Sequence, residues 1–350
     1  MSTFAINGFG RIGRLAARIW YQYHKEDFTL VAINTSGSMD LSGWAHLFKY
    51  DTTYGMFSGA ITTEEHQSHK DCTDQDCLLG FLIIDSKYRI PVLAQRDPAK
   101  IPWQQYHVDA VIESTGAFLT TEKASLHLHG GAKSVLLAAP GKDASIATVV
   151  RGVKEVGVDN IISNASCTTN CISPVMTVLQ ESFGIEKGML NTIHSYTDDQ
   201  NLQDGSHKDL RRARAGASNI VPTSTGAAKT AGKVVDGLSG LFDGLAIRVP
   251  TLTASLADIT VVLKREVTVE ELNQAMIQAS KSPRWQGIIA TTNEPLVSSD
   301  IIGRSESAIV DLGLTQVVGG NLVKVIAWYD NEWGFTNRLV EVAIIMSKNQ

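Results

Sequence analysis

The chain has 350 residues, of which 43% are hydrophobic and 19% charged, with a formal net charge of −5. That length carries two domains with cores of their own, in the composition of an ordinary globular protein rather than a disordered one. A weakly acidic chain gives no electrostatic reason to bind nucleic acid or an anionic membrane, no apolar run approaches the roughly 18 residues of a span, and MSTFAINGFG enters a strand without a signal peptide, so a cytoplasmic protein is expected.

Residues 3–7 (TFAIN) are expected as a strand, 11–24 (RIGRLAARIWYQYH) as a helix and 29–34 (TLVAIN) as a second strand, which makes a βαβ unit. The polar stretch 64–76 reads as a solvated loop, and its His66 and His69 lack the converging partners of a metal site. Apolar stretches at 108–112 and 134–138, with a helical segment at 121–129 between them, continue the alternation. Residues 1–165 are therefore expected as a Rossmann-type, doubly wound parallel sheet of an α/β protein. From about Gly188 the texture turns β-rich, interspersed with helices such as 269–281, so residues 166–332 are expected as a mixed α+β domain. Cys72, Cys77, Cys167 and Cys171 are too few for a disulfide framework and lack zinc-site spacing, so reduced thiols and no metal are expected.

GFGRIG, with Gly8, Gly10 and Gly13, follows the first strand and opens the first helix. Glycines there allow a tight turn and close approach of a pyrophosphate to the helix N-terminus, which points to dinucleotide binding. A unit of this kind that binds NAD ends its second strand in Asp or Glu, on the adenosine ribose. Here the position reads Asn34, Thr35, Ser36. Losing the carboxylate removes repulsion against a 2′-phosphate, to which Thr35, Ser36 and backbone N–H groups could donate, so the fingerprint leans toward accepting NADP as well as NAD. Against this, Thr35 could simply cap a loop, and no arginine stands beside the strand.

The run SNASCTTNC puts Cys167 where an apolar stretch gives way to a helical pattern, between Ser166 and Thr168, Thr169 and Asn170. A thiol near the exposed N–H groups and positive end of a helix ionises more readily and becomes a nucleophile. A lone cysteine is more often a small core residue, but a core position has no use for those polar neighbours. Pro174 places the helix start nearer Asn170 or bends the helix. His194, in MLNTIHSYT, is the candidate ion-pair partner and general acid and base. HKDLRRAR gathers Lys208, Arg211, Arg212 and Arg214, a solvated face or a phosphate site, and Arg248 and the hydroxyls of PTSTGAAK fit the second reading. A dinucleotide, a thiolate, a histidine and several anion donors together suit oxidation of a phosphorylated aldehyde through a thioester.

Together, INGFGRIGR, SNASCTTNC, HSYT, RRARA, VPTSTGAAK and WYDNEWG resemble the phosphorylating glyceraldehyde-3-phosphate dehydrogenases over essentially the whole chain. The resemblance implies conversion of glyceraldehyde 3-phosphate and inorganic phosphate to 1,3-bisphosphoglycerate, with Cys167 as nucleophile and His194 as its activator. It implies that Thr197 and Arg248 hold the substrate phosphate, and that Ser166, Thr168, Arg212, Thr225 and Gly226 place the attacking phosphate. Arg11 and Ile12 would touch the cofactor pyrophosphate, Arg96 the adenine side and Asn331 the nicotinamide carboxamide. It further implies a last helix, 333–350, packed back on the first domain, and a homotetramer. Thr35 and Ser206 depart from the NAD-specific members toward the NADP-accepting branch, while Ala138 and Phe335 each lose a family contact to the cofactor. The rival erythrose-4-phosphate dehydrogenases lose the HSYT and STGAAK patterns, which stand intact here. A silent scaffold or sensor on the same fold would not need Cys167 and His194.

Overall fold

Short apolar runs open the chain as strands that pair in parallel. A computed structural model describes residues 2–349, and the chain divides into two units. Unit 1 is the chain up to Val149, Val156–Asn164 and the stretch from Thr336. Its elements are β1 (Ser2–Asn7), α1 (Arg11–Ile19), β2 (Phe28–Thr35), α2 (Leu41–Lys49), the short pair β3 (Tyr50–Asp51) and β4 (Gly55–Met56), β5 (Ile61–Glu65), β6 (Leu78–Ile84), β7 (Tyr88–Ala94), β8 (Ala110–Glu113), α3 (Thr121–His129), β9 (Ser134–Leu137), β10 (Ala147–Thr148) and β11 (Ile161–Ser163). The helix expected over 11–24 forms, its last turn a π turn over Trp20–His24.

One sheet runs β10-β11-β9-β8-β1-β2-β7-β6-β5. From β10 to β7 every pairing is parallel. The central strands are fully buried, Phe4, Ala5 and Ile6 beside Val111 and Ile112, as strands covered on both faces must be. The expected parallel sheet ends there, because β5, β6 and β7 are antiparallel. The cause is local: Asp85 (φ 51°) and Ser86 (φ 56°) make a left-handed two-residue turn, and a tight hairpin joins only antiparallel strands. The polar stretch expected as a loop begins inside β5 and is otherwise irregular, pinned by His66 on Asp76 (2.9 Å) and His69 on Asp40 (2.7 Å). Among the described residues no cluster of three or more His, Cys, Asp or Glu could hold a metal ion.

Unit 2 is Val150–Glu155 with Ala165–Phe335. It holds α4 (Cys167–Phe183), β12 (Ile185–Ser195), β13 (Val221–Ser224), α5 (Ala227–Val234), β14 (Phe242–Val249), β15 (Ser255–Leu263), α6 (Val269–Lys281), β16 (Ile289–Thr292), β17 (Ala308–Val318), β18 (Leu322–Tyr329) and the first turn of α7 (Trp333–Lys348), whose remainder belongs to unit 1. Its sheet runs β13-β14-β12-β15-β18-β17-β16 with both parallel and antiparallel pairs. Strict alternation along β15 gives the sheet one buried face, and α4 covers it with Ile172, Val175, Met176 and Leu179 against Leu190, Ile259, Val261 and Val310. That packing fixes where α4 begins relative to the ends of β12 and β14.

Candidate active site

Cys167 is the first residue of α4. Ser166 caps the helix, its Oγ accepting Thr169 N–H at 3.1 Å, while the N–H groups of Cys167 and Thr168 favour the thiolate. The residue before the cap, Ala165, has φ +57°, a left-handed conformation that a Cβ disfavours and that the site maintains. The helix starts at Cys167 rather than near Asn170, with Pro174 inside it. A buried proline in a helix costs about 3 kcal/mol. The neighbouring Ile172, Val175 and Met176, all fully buried, return roughly 1.5–3 kcal/mol each.

His194 and Arg248 lie opposite each other in the register of β12 and β14, which puts both side chains on one side of the sheet. His194 Nε2 lies 3.3 Å from Cys167 Sγ. Its Nδ1 lies 2.7 Å from the Ser195 carbonyl, a pure acceptor, and a neutral ring that donates there leaves Nε2 open toward sulfur. Arg248 Nη1 donates to the same carbonyl at 3.0 Å and comes within 2.8 Å of Nδ1, two donors crowding one oxygen. Burial opposes a charge on either partner taken singly. It raises the Cys167 thiol, against which Arg248 and Thr168 pull down. It lowers His194 to about 3, and the Arg248 charge adds to that. Passing the thiol proton across 3.3 Å creates both charges at once. Their attraction, about 5 kcal/mol at an effective dielectric of 20, works against the desolvation and couples the two titrations.

Around this centre the structure adds residues that spacing could not reveal. Tyr329, fully buried at the end of β18, puts its hydroxyl 2.9 Å from Thr168 Oγ1 and 2.8 Å from Thr192 Oγ1. Its ring meets His194 edge-on at 6.0 Å. Ser195, besides holding His194, donates its hydroxyl to Asn331 Oδ1 at 2.9 Å, as Ser255 also does. Ser195 stood within the HSYT run and Tyr329 within WYDNEWG, but nothing local marked either for a partner more than a hundred residues away.

The other anticipated residues fall into separate groups. Thr197 follows β12 and its carbonyl takes Gln200 N–H at 2.8 Å. Arg212 is tied down, with Nε on Thr223 Oγ1 (2.9 Å), Nη2 on the Ser224 carbonyl (3.2 Å) and Nη1 on Asp199. Its charge is nevertheless felt at His194 and Arg248. Arg214 pairs with Asp204 at 2.7 Å, so the basic run is half-neutralised rather than an open cluster. Thr225 and Gly226 form the entry to α5, with Thr225 Oγ1 accepting Ala227 N–H at 3.2 Å.

In unit 1 the glycine turn is tight. A Cβ on Gly13 would lie 2.1 Å from the Gly8 carbonyl, Gly8 itself has φ +94°, and a Cβ on Gly10 would meet nothing within 4 Å. That open crest at the start of α1 suits a pyrophosphate. Arg11 holds Asp51 at 2.9 Å from the first turn of α1, with Ile12 half-buried beside it. Asn34 and Thr35 are both buried, and Thr35 donates its hydroxyl to the Leu93 carbonyl at 2.9 Å while accepting Gly37 N–H at 3.2 Å. It is occupied within its own turn. The expectation that no arginine stands beside this strand is corrected: Arg96, sixty residues on in sequence, donates Nε to the Ser36 carbonyl at 3.2 Å, because β7 pairs with β2.

A dinucleotide-type sheet in one unit and a helix-start thiol with a histidine in the other define a thiol-dependent oxidoreductase. Two family models match the chain: glyceraldehyde 3-phosphate dehydrogenase, NAD binding domain, over residues 2–121, and its C-terminal domain, over residues 166–331. The chain is 50% identical over 351 residues to the glyceraldehyde-3-phosphate dehydrogenase of Thermotoga maritima, covering 99% of this chain and 100% of the relative. It is 46% identical over 347 residues to that of Zymomonas mobilis, covering 98% of each. It is 44% identical over 347 residues to the chloroplastic glyceraldehyde-3-phosphate dehydrogenase A of Chlamydomonas reinhardtii, covering 98% of this chain and 88% of the relative. The chain belongs to the glyceraldehyde-3-phosphate dehydrogenase family.

Proposed function

We propose that the protein oxidises glyceraldehyde 3-phosphate and passes the acyl group to inorganic phosphate, giving 1,3-bisphosphoglycerate. The observation that carries this is Cys167 Sγ at the start of α4, 3.3 Å from His194 Nε2 and within the field of Arg248. Cys167 attacks the aldehyde carbon as its proton goes to His194, which returns it to the carbonyl oxygen, forming a hemithioacetal and leaving the ring neutral. A nicotinamide dinucleotide, when bound, supplies the hydride acceptor. His194 takes the hydroxyl proton as the hemithioacetal becomes a thioester, and inorganic phosphate then attacks the thioester carbon and releases the Cys167 thiolate. Arg248 and Thr197 are the proposed holders of the substrate phosphate, and Ser166, Thr168, Arg212, Thr225 and Gly226 of the attacking one. The fit of a cofactor to unit 1 rests on the open crest at Gly10, and Arg11, Ile12, Asn34, Ser36 and Arg96 are proposed as its further contacts, with Asn331 for the nicotinamide amide.

Acceptance of NADP alongside NAD belongs to the same proposal, but the structure moves its basis. With Thr35 engaged, the groups left for a 2′-phosphate are the exposed Ser36 and the Arg96 guanidinium bound to its carbonyl. A homotetramer is also proposed, supported by large apolar side chains left exposed on unit 2, Met189, Leu210, Ile220 and Val318 among them. Four free thiols suit a reducing cytoplasm. Reduced-cofactor formation from glyceraldehyde 3-phosphate tests the whole. It should require inorganic phosphate, and equal turnover without phosphate would refute acyl transfer to it.

A further inference from the structure

Unit 1 contains a buried polar chain that the chemistry at Cys167 does not use. At its centre is Glu113, at the end of β8, with 1% exposure, beside His127 on α3, with none. Oε2 of Glu113 lies 2.5 Å from Asn7 Nδ2 and 3.0 Å from His127 Nε2, and Oε1 takes Thr115 N–H at 2.7 Å as well as the Thr115 hydroxyl. Both ends of the chain have only one possible polarity. Trp103 Nε1–H can only donate, and it lies 3.1 Å from His127 Nδ1, so the imidazole proton is on Nε2 and points at Glu113. At the other end the backbone of Gln95 reads Asn34, giving N–H to its Oδ1 at 3.0 Å and taking its Nδ2 at 2.8 Å. That fixes the Asn34 amide, whose Nδ2 then donates to Asn7 Oδ1 at 2.7 Å and turns Asn7 Nδ2 toward Glu113. Asn7 Nδ2, His127 Nε2 and the N–H and hydroxyl of Thr115 are thereby all directed at one carboxyl group.

The positions matter as much as the bonds. Asn7 ends β1, Glu113 ends β8, Asn34 is one residue from the end of β2, and Gln95 directly follows β7. Those four strands are consecutive neighbours in the sheet. The chain therefore runs along the carboxyl ends of the parallel strands, the edge at which such sheets take dinucleotides. Each turn above that edge hangs from it. Gly8 follows Asn7, and a Cβ there would meet Thr115 N at 2.9 Å, so Thr115 held by Glu113 is the wall of the glycine turn. Arg96 follows Gln95.

We infer that Glu113, with His127 as its donor, is a positioning residue for the cofactor, setting the spacing of the turns after β1, β2, β7 and β8. The inference rests on the reading of unit 1 as the dinucleotide site. It is tested on the full chain with NAD by fluorescence titration, beside the thermal midpoint and the rate of Cys167 alkylation without cofactor. In Glu113→Gln an amide N–H faces donors, and His127 cannot reverse its tautomer because Trp103 already donates to Nδ1. The dissociation constant for NAD should rise about ten-fold or more, the effect of leaving a buried donor unmatched, while cofactor-free alkylation stays unchanged. His127→Gln keeps a donor where Nε2 stood and should bind NAD nearly as the parent does, whereas His127→Leu should behave as Glu113→Gln. A merely structural role lowers the thermal midpoint of all three and leaves their NAD affinity alike. Folded Glu113→Gln and His127→Leu proteins that bind NAD as the parent does overturn the inference, while a parent that binds no dinucleotide overturns the cofactor reading beneath it. The ¹⁵N spectrum of the parent decides the matter even where variants do not fold: His127 must be the Nε2–H tautomer, and an Nδ1–H signal refutes the chain.

Discussion

Replacing His194 by Asn separates the two jobs of the ring. The amide nitrogen of Asn reaches about as far as Nδ1, so the bond to the Ser195 carbonyl, 2.7 Å in the parent, can persist and the end of β12 keeps its place. What disappears is Nε2, the proton acceptor 3.3 Å from sulfur. Opposite charges at that separation attract by about 5 kcal/mol at an effective dielectric of 20. Without an imidazolium the thiolate keeps only Arg248, Thr168 and the helix start against the cost of burial. Its titration midpoint should therefore rise by about one to three units, the range for loss of a close opposite charge. The sign follows from the charge that is lost: in the parent the reactive thiolate persists to lower pH, so the gap in alkylation rate between the two proteins is widest below the variant's midpoint and closes above it. Acylation by substrate should fall by roughly two to four orders of magnitude, or about 2.7–5.5 kcal/mol on the barrier. Iodoacetamide alkylation against pH gives the first quantity and the pre-steady-state burst gives the second. An unchanged midpoint together with an unchanged burst would mean that His194 is only a packed strand residue.

Cys167→Ser should abolish dehydrogenase activity with the fold intact, while Cys171→Ala should keep most turnover, because Cys171 is fully buried in the core and burial holds its thiol well above the ordinary value; equal losses in a rate assay would sink that division. Ser166→Ala removes the cap on Thr169 N–H and should cost about 0.5–2 kcal/mol in denaturant unfolding, with a slower alkylation rate at Cys167 as the first turn frays. Arg96→Ala should lower kcat/KM for NADP by roughly ten- to hundred-fold more than for NAD, the worth of a charge-assisted hydrogen bond to the 2′-phosphate; equal changes for both cofactors would remove Arg96 from 2′-phosphate recognition. Thr35→Asp should favour NAD but also destabilise unit 1, since it sets a carboxylate against the Leu93 carbonyl that now accepts the Thr35 hydroxyl at 2.9 Å.

Local signals in the sequence carried the elements and the two candidate reacting groups. Period and turn chemistry place β1, α1, β2 and α3, and the polar run around Cys167 marks a helix start because capping and thiol activation both act within one turn. Signals that depend on pairing between distant segments were out of reach. The antiparallel edge of the first sheet turns on the left-handed pair Asp85 and Ser86, neither of them glycine, so the hairpin carried no glycine signal. Arg96 reaches Ser36 only because β7 lies against β2, and Tyr329 reaches Thr168 only through the far end of β18. Of the two readings of Pro174, the later helix start near Asn170 fails, because a helix-breaking residue argues locally and the buried face of α4 outweighs it. The basic run looked stronger than it is, since Asp199 and Asp204 neutralise Arg212 and Arg214 across a loop.

Trapping the acyl-enzyme tests the central claim most directly. The protein is mixed with glyceraldehyde 3-phosphate and NAD without phosphate, quenched in acid, digested and weighed by mass spectrometry. The account predicts a 3-phosphoglyceryl adduct on the peptide containing Cys167 that disappears on addition of inorganic phosphate as 1,3-bisphosphoglycerate forms. No adduct at Cys167, or an adduct whose loss is indifferent to phosphate, would contradict it.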